Sequence, residues 1–346
     1  KSQLIDLITN NENTTNTEIS DTEISDTEIT VPENAKFTFI DLFAGIGGMR
    51  VPFDELGGEC VFSSEIDKYA RKSYSAMFEE EEKYISGDIS KIKASEIPYH
   101  DILLAGFPCQ PFSRAGKKRG FNDTRGTAFS EIRRILKFHR PKAFLLENVP
   151  GLISNDNGKT LETILRVLKN ELGYFVHDDG KVLNAKDFGL PQSRKRFYLV
   201  GFDKDLNFEY PKPTSQKVSI KDILDDEIKV NRKYVISSKL WKSHKKRKKR
   251  NELNGKGFGY KLSNPNDQYT RTLSHRYYKD GSEILIDRGK NKNPRMLSPQ
   301  ECSRLQGFPK KWENLPVSDT QAYRQFGNAV PVSVVRGIAK SILDAI

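Results

Sequence analysis

The chain has 346 residues, 36% hydrophobic and 30% charged, with a formal net charge of +11. That length suffices for one large core plus a smaller lobe; no long apolar run offers a membrane span, and no basic start followed by an apolar stretch offers a secretory signal. Three widely spaced cysteines, Cys60, Cys109 and Cys302, with no CxxC pair, argue against a zinc site or a disulfide framework and for a reducing cytosol.

Residues 1–34 hold eight acids against one basic residue, Lys1, and repeat a TEISD unit from Thr17 and Thr22, followed by Thr27-Glu28-Ile29-Thr30. Such sequence cannot bury enough apolar surface to offset its ordering entropy, so a disordered acidic tail is expected. The tail carries −7, which leaves +18 on the other 312 residues. A body that basic points to a polyanionic partner, of which nucleic acid is the commonest.

From Lys36 onward, short apolar runs alternate with helical patterns. Strands are predicted at residues 37–43, 59–66, 101–105, 143–147 and 196–201, and helices at 127–138 and 160–171. This alternation argues for an α/β domain built on a largely parallel sheet. Between about 205 and 293 the alternation is lost and Lys, Asn, Tyr and Ser increase; Lys245–Arg250 are six consecutive cations. They suit either phosphate contact or a solvated helix face, and the phosphate reading is favoured by the lobe around them. The chain returns to an apolar helix over 330–346. The expected organisation is a tail at 1–34, a catalytic and cofactor-binding domain at 35–205 completed by 314–346, and a small, irregular, basic domain at 206–313.

Four blocks carry chemistry. In Phe39–Gly48 a strand runs into a glycine-rich turn, and Glu65 follows Gly47 by eighteen residues at the end of the next strand. Glycines admit a close ligand, and the acid can accept from ribose hydroxyls. The spacing is not GxGxxG, which lowers the dinucleotide option; a simple tight turn is the plain alternative. Cys109, in Phe107-Pro108-Cys109-Gln110-Pro111, follows a strand at the carboxyl edge of the sheet, where α/β sites lie. Cationic neighbours can lower a thiol's pKa below about 8.5. Glu147 ends an apolar strand in Leu146-Glu147-Asn148-Val149, where burial would raise its pKa; capping of the next turn is the alternative. Arg194 and Arg196 enter a strand and can face an anion or brace Glu147.

The ordered set FxDLFAGxGG, strand-end Glu, PCQ, ENV and QxRxR, followed by residues 294–309 and 323–331, resembles the cytosine-C5 DNA methyltransferases over about 36–340. The resemblance implies a Rossmann-like S-adenosylmethionine-dependent α/β domain. It implies Cys109 as the thiolate that adds to carbon 6, Glu147 as the group on the N3 edge, and Arg194 and Arg196 as positioning arginines, Arg194 nearest the base. It places S-adenosyl-L-methionine against Phe43, Gly45, Ile46, Gly47, Gly48, Glu65, Ile66, Asp88, Ile89, Pro108, Asn328 and Ala329, with Asp88 accepting from the adenine amino group.

Residues 255–287 and 316–328 resemble the Dcm-type branch, which reads short CC(N)GG-type palindromes. Double-stranded DNA is the implied partner, flipped open at the target base. Its expected contacts are Ser113, Arg114, Lys117, Lys118 and Arg125 in the loop after Cys109. Lys245, Lys246, Arg247, Arg271, Arg276, Tyr278 and Lys279 are expected in the small domain. The resemblance further implies a monomer, cytoplasmic and nucleoid-associated in a prokaryote or phage, with no metal and no membrane. A cognate restriction endonuclease would act separately on the same site. Rival readings are an RNA cytosine-5 methyltransferase, a catalytically silent DNA-binding regulator on this fold, and a nicotinamide dehydrogenase, which leaves the cysteine loop unexplained.

Overall fold

A computed structural model describes residues 35–108, 128–257 and 259–346. In chain order the first half contains β1 (Phe37–Leu42), α1 (Arg50–Glu55), β2 (Gly58–Ser64), α2 (Lys68–Phe78), β3 (Ile85–Ser86), β4 (Ile102–Gly106), α3 (Ala128–His139), β5 (Ala143–Asn148), α4 (Gly151–Ser154) and α5 (Lys159–Arg166). Then come β6 (Phe175–Val176), β7 (Lys181–Asn184), β8 (Lys195–Phe202), α6 (Ser238–Leu253), β9 (Leu262–Ser263), β10 (Leu285–Ile286), α7 (Pro299–Gln306), α8 (Asp319–Asn328) and α9 (Val332–Ala345).

The main sheet runs β3-β2-β1-β4-β5-β8-β6, with β7 paired to β8. The strands from β3 to β5 are parallel, whereas β8 is antiparallel to β5, β6 and β7. The sheet is therefore largely parallel, as expected, with β8 the one reversed strand. The predicted strands and helices are found within two residues of their expected ends, except that the helix over 160–171 finishes in a π-helical turn, Val167–Glu171.

β4 and β5 are apolar and buried on both faces, as central parallel strands require. Phe39, Leu104, Val200, Phe53 of α1 and Ile338 of α9 fill one face. Ile40, Leu103, Phe129 and Ile135 of α3, and Ile164 of α5 fill the other. A third cluster joins Ile46 and Met77 to Leu273, Tyr277, Leu297, Phe326 and Val332, so the described residues form one compact unit.

Local signals set the helix starts. Asp67 accepts from the amides of Tyr69 and Ala70 to begin α2, and Ser298 with Glu301 forms a capping box on α7, with Pro299 in its first turn. Among the described residues no helix is long and apolar enough to cross a membrane.

The order of strands sets the position of the site. β1 lies between β2 and β4, so the chain proceeds from β1 to one side and later returns to the other. A crevice opens beyond the carboxyl ends of strands at such a reversal.

Candidate active site

A cavity of about 1070 Å³ occupies that crevice. Its floor is the turn after β1, where Phe43 and Gly45 both have left-handed backbones (φ 56° and 58°). A Cβ added to Gly45 would meet nothing within 4 Å, so this glycine leaves the floor open as well as turning the chain. Gly47 behaves differently. It is absent from the cavity wall, and a Cβ there would lie 2.2 Å from the Phe78 ring. The lack of a side chain at Gly47 makes room for the Phe78 ring of α2. Gly48 lines the cavity, but a Cβ on it would sit 2.9 Å from Val330, so it too is held small by packing.

Glu65 lies just past β2 rather than within it, and its carboxylate accepts from the Gly45 amide and the Asp67 amide, each at 2.8 Å. Burial raises its pKa, and the two amides oppose that shift. Phe43, Ile46, Ile66, Asp88, Ile89, Pro108, Asn328 and Ala329 join Glu65 around the cavity, Ile66 being 70% exposed. Asp88 caps a short turn, accepting from the Ser90 amide and hydroxyl, and the hydroxyl bond holds its pKa below the ordinary value.

Across the cavity stands the end of β5. Glu147 is buried, and its Oε1 is 3.0 Å from Arg196 Nε. Burial raises the carboxyl pKa, while the charges of Arg196 and then Arg194 pull it down; the net direction is upward. Its other oxygen faces Gly106, where an added Cβ would be 3.5 Å away. Asn148 donates to the carbonyl of Phe107 at 2.9 Å, fixing the chain two residues before Cys109 to the tip of β5.

The two arginines do different things. Arg196 lines the cavity; Arg194 does not. Arg194 is fully buried and donates to the carbonyls of Leu273, Gly327 and Ala329 at 2.8, 2.9 and 2.7 Å. The resemblance put Arg194 nearest the base; in the structure Arg196 is the one of the two that lines the cavity. Arg194 instead ties the entrance of β8 to two segments that wall the cavity.

Sequence reasoning missed the contributions of those segments. Thr272, Leu273, Ser274 and His275 line the cavity from the middle of the chain, and Gln321, Arg324 and Gln325 line it from α8. Gln325 has its Nε2 buried with no hydrogen-bond partner, while its Oε1 accepts from Ser73 at 2.8 Å. These residues carry no motif of their own chemistry; only the long-range packing of α8 brings them here.

Cys109, Ser113, Arg114, Lys117, Lys118 and Arg125 lie outside the described residues, as does the acidic tail. Of the remaining expected DNA contacts, Lys245, Lys246, Arg271, Arg276 and Lys279 are exposed. Arg271 donates to the Gly259 carbonyl at 2.9 Å, Tyr278 accepts from Arg324 at 3.2 Å, and Arg247 is paired with Asp280 at 3.1 Å.

A sheet-edge cavity with a ribose-type acid on one side and a buried Glu–Arg pair on the other suits a group-transfer enzyme. The model of the C-5 cytosine-specific DNA methylases matches residues 37–344. The chain belongs to this family. It is 54% identical over 318 residues to the Type II methyltransferase M.DsaV of Dactylococcopsis salina, covering 91% of this chain and 88% of that one. It is 43% identical over 369 residues to the DNA-cytosine methyltransferase of Escherichia coli K12, covering 88% and 77%. Among solved structures, the Dnmt2 methyltransferase of S. pombe superposes with a TM-score of 0.72 at 23% identity, covering 89% of this chain and 99% of that one, which shows the shared fold. The protein is accordingly a DNA (cytosine-5-)-methyltransferase with a methyltransferase-type α/β fold, and the family implies S-adenosylmethionine as its methyl donor.

Proposed function

We propose that this methyltransferase modifies a cytosine within a short CC(N)GG-type palindrome, using Cys109 as nucleophile and Glu147 as proton donor. The observation that carries the assignment is the buried Glu147–Arg196 pair facing the same cavity as Glu65 and Phe43.

The cavity fits S-adenosylmethionine. Phe43 offers an aromatic wall for adenine, Glu65 an acceptor for ribose hydroxyls, and Gly45 an open floor. Ile66 and Ile89 would flank the adenine, Asp88 would accept from its amino group, and Asn328 and Ala329, which also line the cavity, would complete the site. When bound, S-adenosylmethionine supplies the electrophilic methyl group that carbon 5 accepts.

Carbon 5 of cytosine is a poor nucleophile until a thiolate adds at carbon 6 and breaks the aromaticity of the ring. Cys109 makes that bond. Protonated Glu147 donates to N3 as negative charge develops there, and burial raises its pKa, the direction that favours a proton donor. Arg196 holds the carboxyl in place. Arg194 holds the wall behind it. Loss of the carbon 5 proton and departure of Cys109 restore the ring.

The target carbon is hidden in the duplex, so the base must be flipped out at a cost of a few kcal/mol. Ser113, Arg114, Lys117, Lys118 and Arg125 would contact the phosphates, and residues 206–313 act as the target-recognition domain. The catalytic domain is 35–205 with 314–346. Relatives such as M.DsaV are Type II methyltransferases, which supports a restriction–modification role beside a separate endonuclease, exercised by a cytoplasmic monomer. Methylation mapping at single-base resolution in a host expressing the protein tests the target. Marks concentrated in CC(N)GG-type sites are expected; marks only in unrelated motifs refute the assignment.

A further inference from the structure

α6 carries eight Lys or Arg residues and one acid, Glu252, in sixteen residues. They divide into two sets. Arg247 and Lys248 are half-exposed and engaged by the protein: Arg247 pairs with Asp280, and Lys248 lies over the Tyr260 ring at 4.9 Å and pairs with Glu252. The other six, Lys239, Lys242, Lys245, Lys246, Lys249 and Arg250, are exposed. At about 100° per residue those six fall within an arc of roughly 140°, leaving one cationic face about 16 Å long. Among the described residues none of the six pairs with a carboxylate. Lys245 alone is drawn aside, 5.3 Å from the Trp241 ring.

The face is rigidly mounted. Buried His244 has Nε2 3.2 Å from the Asp280 carbonyl and Nδ1 3.1 Å from Arg247 Nη2. Arg247 can only donate, so Nδ1 accepts and Nε2–H donates. Two residues before Asp280, Tyr278 accepts from Arg324, which lines the rim of the cavity. A short chain of contacts thus runs from the cavity mouth through Tyr278 and Asp280 to α6, with exposed Arg276 and Lys279 along it.

We propose that the outer face of α6 is a phosphate rail: a sequence-independent docking surface for the backbone of duplex DNA flanking the target site. About sixteen ångströms is long enough to meet several phosphates across the duplex backbone. Unpaired, hydrated cations held at fixed positions suit phosphates, which need charge and register, rather than base edges, which need directed bidentate donors. Arg247, expected from sequence to touch DNA, is instead the bolt that fixes the rail. The inference rests on the reading that this chain binds duplex DNA.

The test is fluorescence anisotropy on the full chain, with a CCNGG-containing duplex and a scrambled one, each titrated across a salt series. The parent is compared with a Lys242→Gln/Lys246→Gln/Lys249→Gln/Arg250→Gln variant and with a second in which the three lysines become Arg. Losing four phosphate contacts lowers the slope of log K against log salt by about 3.6, at about 0.9 per contact. The expected result is that reduction with equal fold-losses on both duplexes, and an unchanged slope in the arginine variant. An unchanged slope in the glutamine variant overturns the rail, as does a loss confined to one duplex, which would mean base reading. A parent that binds neither duplex would refute the DNA reading itself, a separate outcome.

Discussion

Glu147 and Arg196 form an ion pair at 3.0 Å in the cavity wall, where burial raises the carboxyl pKa and the charge of Arg196 lowers it. If protonated Glu147 drives attack, Glu147→Gln lowers kcat by at least about 10²-fold at neutral pH, the usual scale of general acid catalysis, with a smaller effect on KM for DNA. Single-turnover methyl transfer measures this, and an unchanged rate removes Glu147 from the chemistry. The pH dependence follows from the same pair. The rate falls as pH rises through the Glu147 pKa, and Arg196 holds that pKa down. Arg196→Gln therefore moves the falling limb to higher pH; a shift to lower pH contradicts the assignment. Glu147 was legible in the sequence because a carboxylate at the end of an apolar strand has few other uses. The order of the two arginines was not. Alternation along a strand puts both on one face, but β8 begins at Lys195, so Arg194 lies before the strand and points where its three carbonyls take it.

Among the elements, the glycine turn shows how one motif serves two purposes. Gly45→Ala meets no atoms and suffers only the left-handed backbone, about 1–2 kcal/mol. Gly47→Ala adds a collision with the Phe78 ring. That ring cannot swing away, because Arg50 lies 4.0 Å over it and Trp312 packs against its edge at 5.4 Å. Gly47→Ala should cost about 1–3 kcal/mol more than Gly45→Ala, the usual range for overpacking. Urea unfolding of both variants checks the order, and equal losses would contradict the packing account. Both glycines read alike in sequence, since the difference lies in where α2 comes to rest. The long apolar strands were equally plain, whereas β6 and β7 were missed: they are short, and Phe175, Lys181 and Val182 are exposed, so neither shows an apolar run.

For the molecule as a whole, the sequence order of motifs revealed that both ends of the folded chain meet at one cavity, and the structure adds the middle, Thr272–His275. A buried histidine makes stability depend on acid. His100 donates from Nδ1–H to the Pro98 carbonyl at 2.9 Å, and its Nε2 has no partner. Burial pushes its pKa down to about 4 from 6.5. Below pH 6.5 the unfolded chain takes up a proton that the folded chain refuses, so stability is lost as pH falls from about 6.5 towards 4. The parent should lose about 2 kcal/mol more than His100→Gln between pH 7 and 5, by urea unfolding at each pH. An equal loss in both proteins would show that other groups carry the acid sensitivity.

The central claim is nucleophilic methylation of cytosine through Cys109. The direct test mixes the full chain with S-adenosylmethionine and duplexes carrying 5-fluorocytosine, whose carbon 5 has no proton to lose, and resolves the mixture on a denaturing gel. The account predicts a covalent protein–DNA adduct on CC(N)GG-type duplexes that vanishes in Cys109→Ala. An adduct that survives Cys109→Ala, or none on any duplex despite measurable cofactor binding, would contradict it.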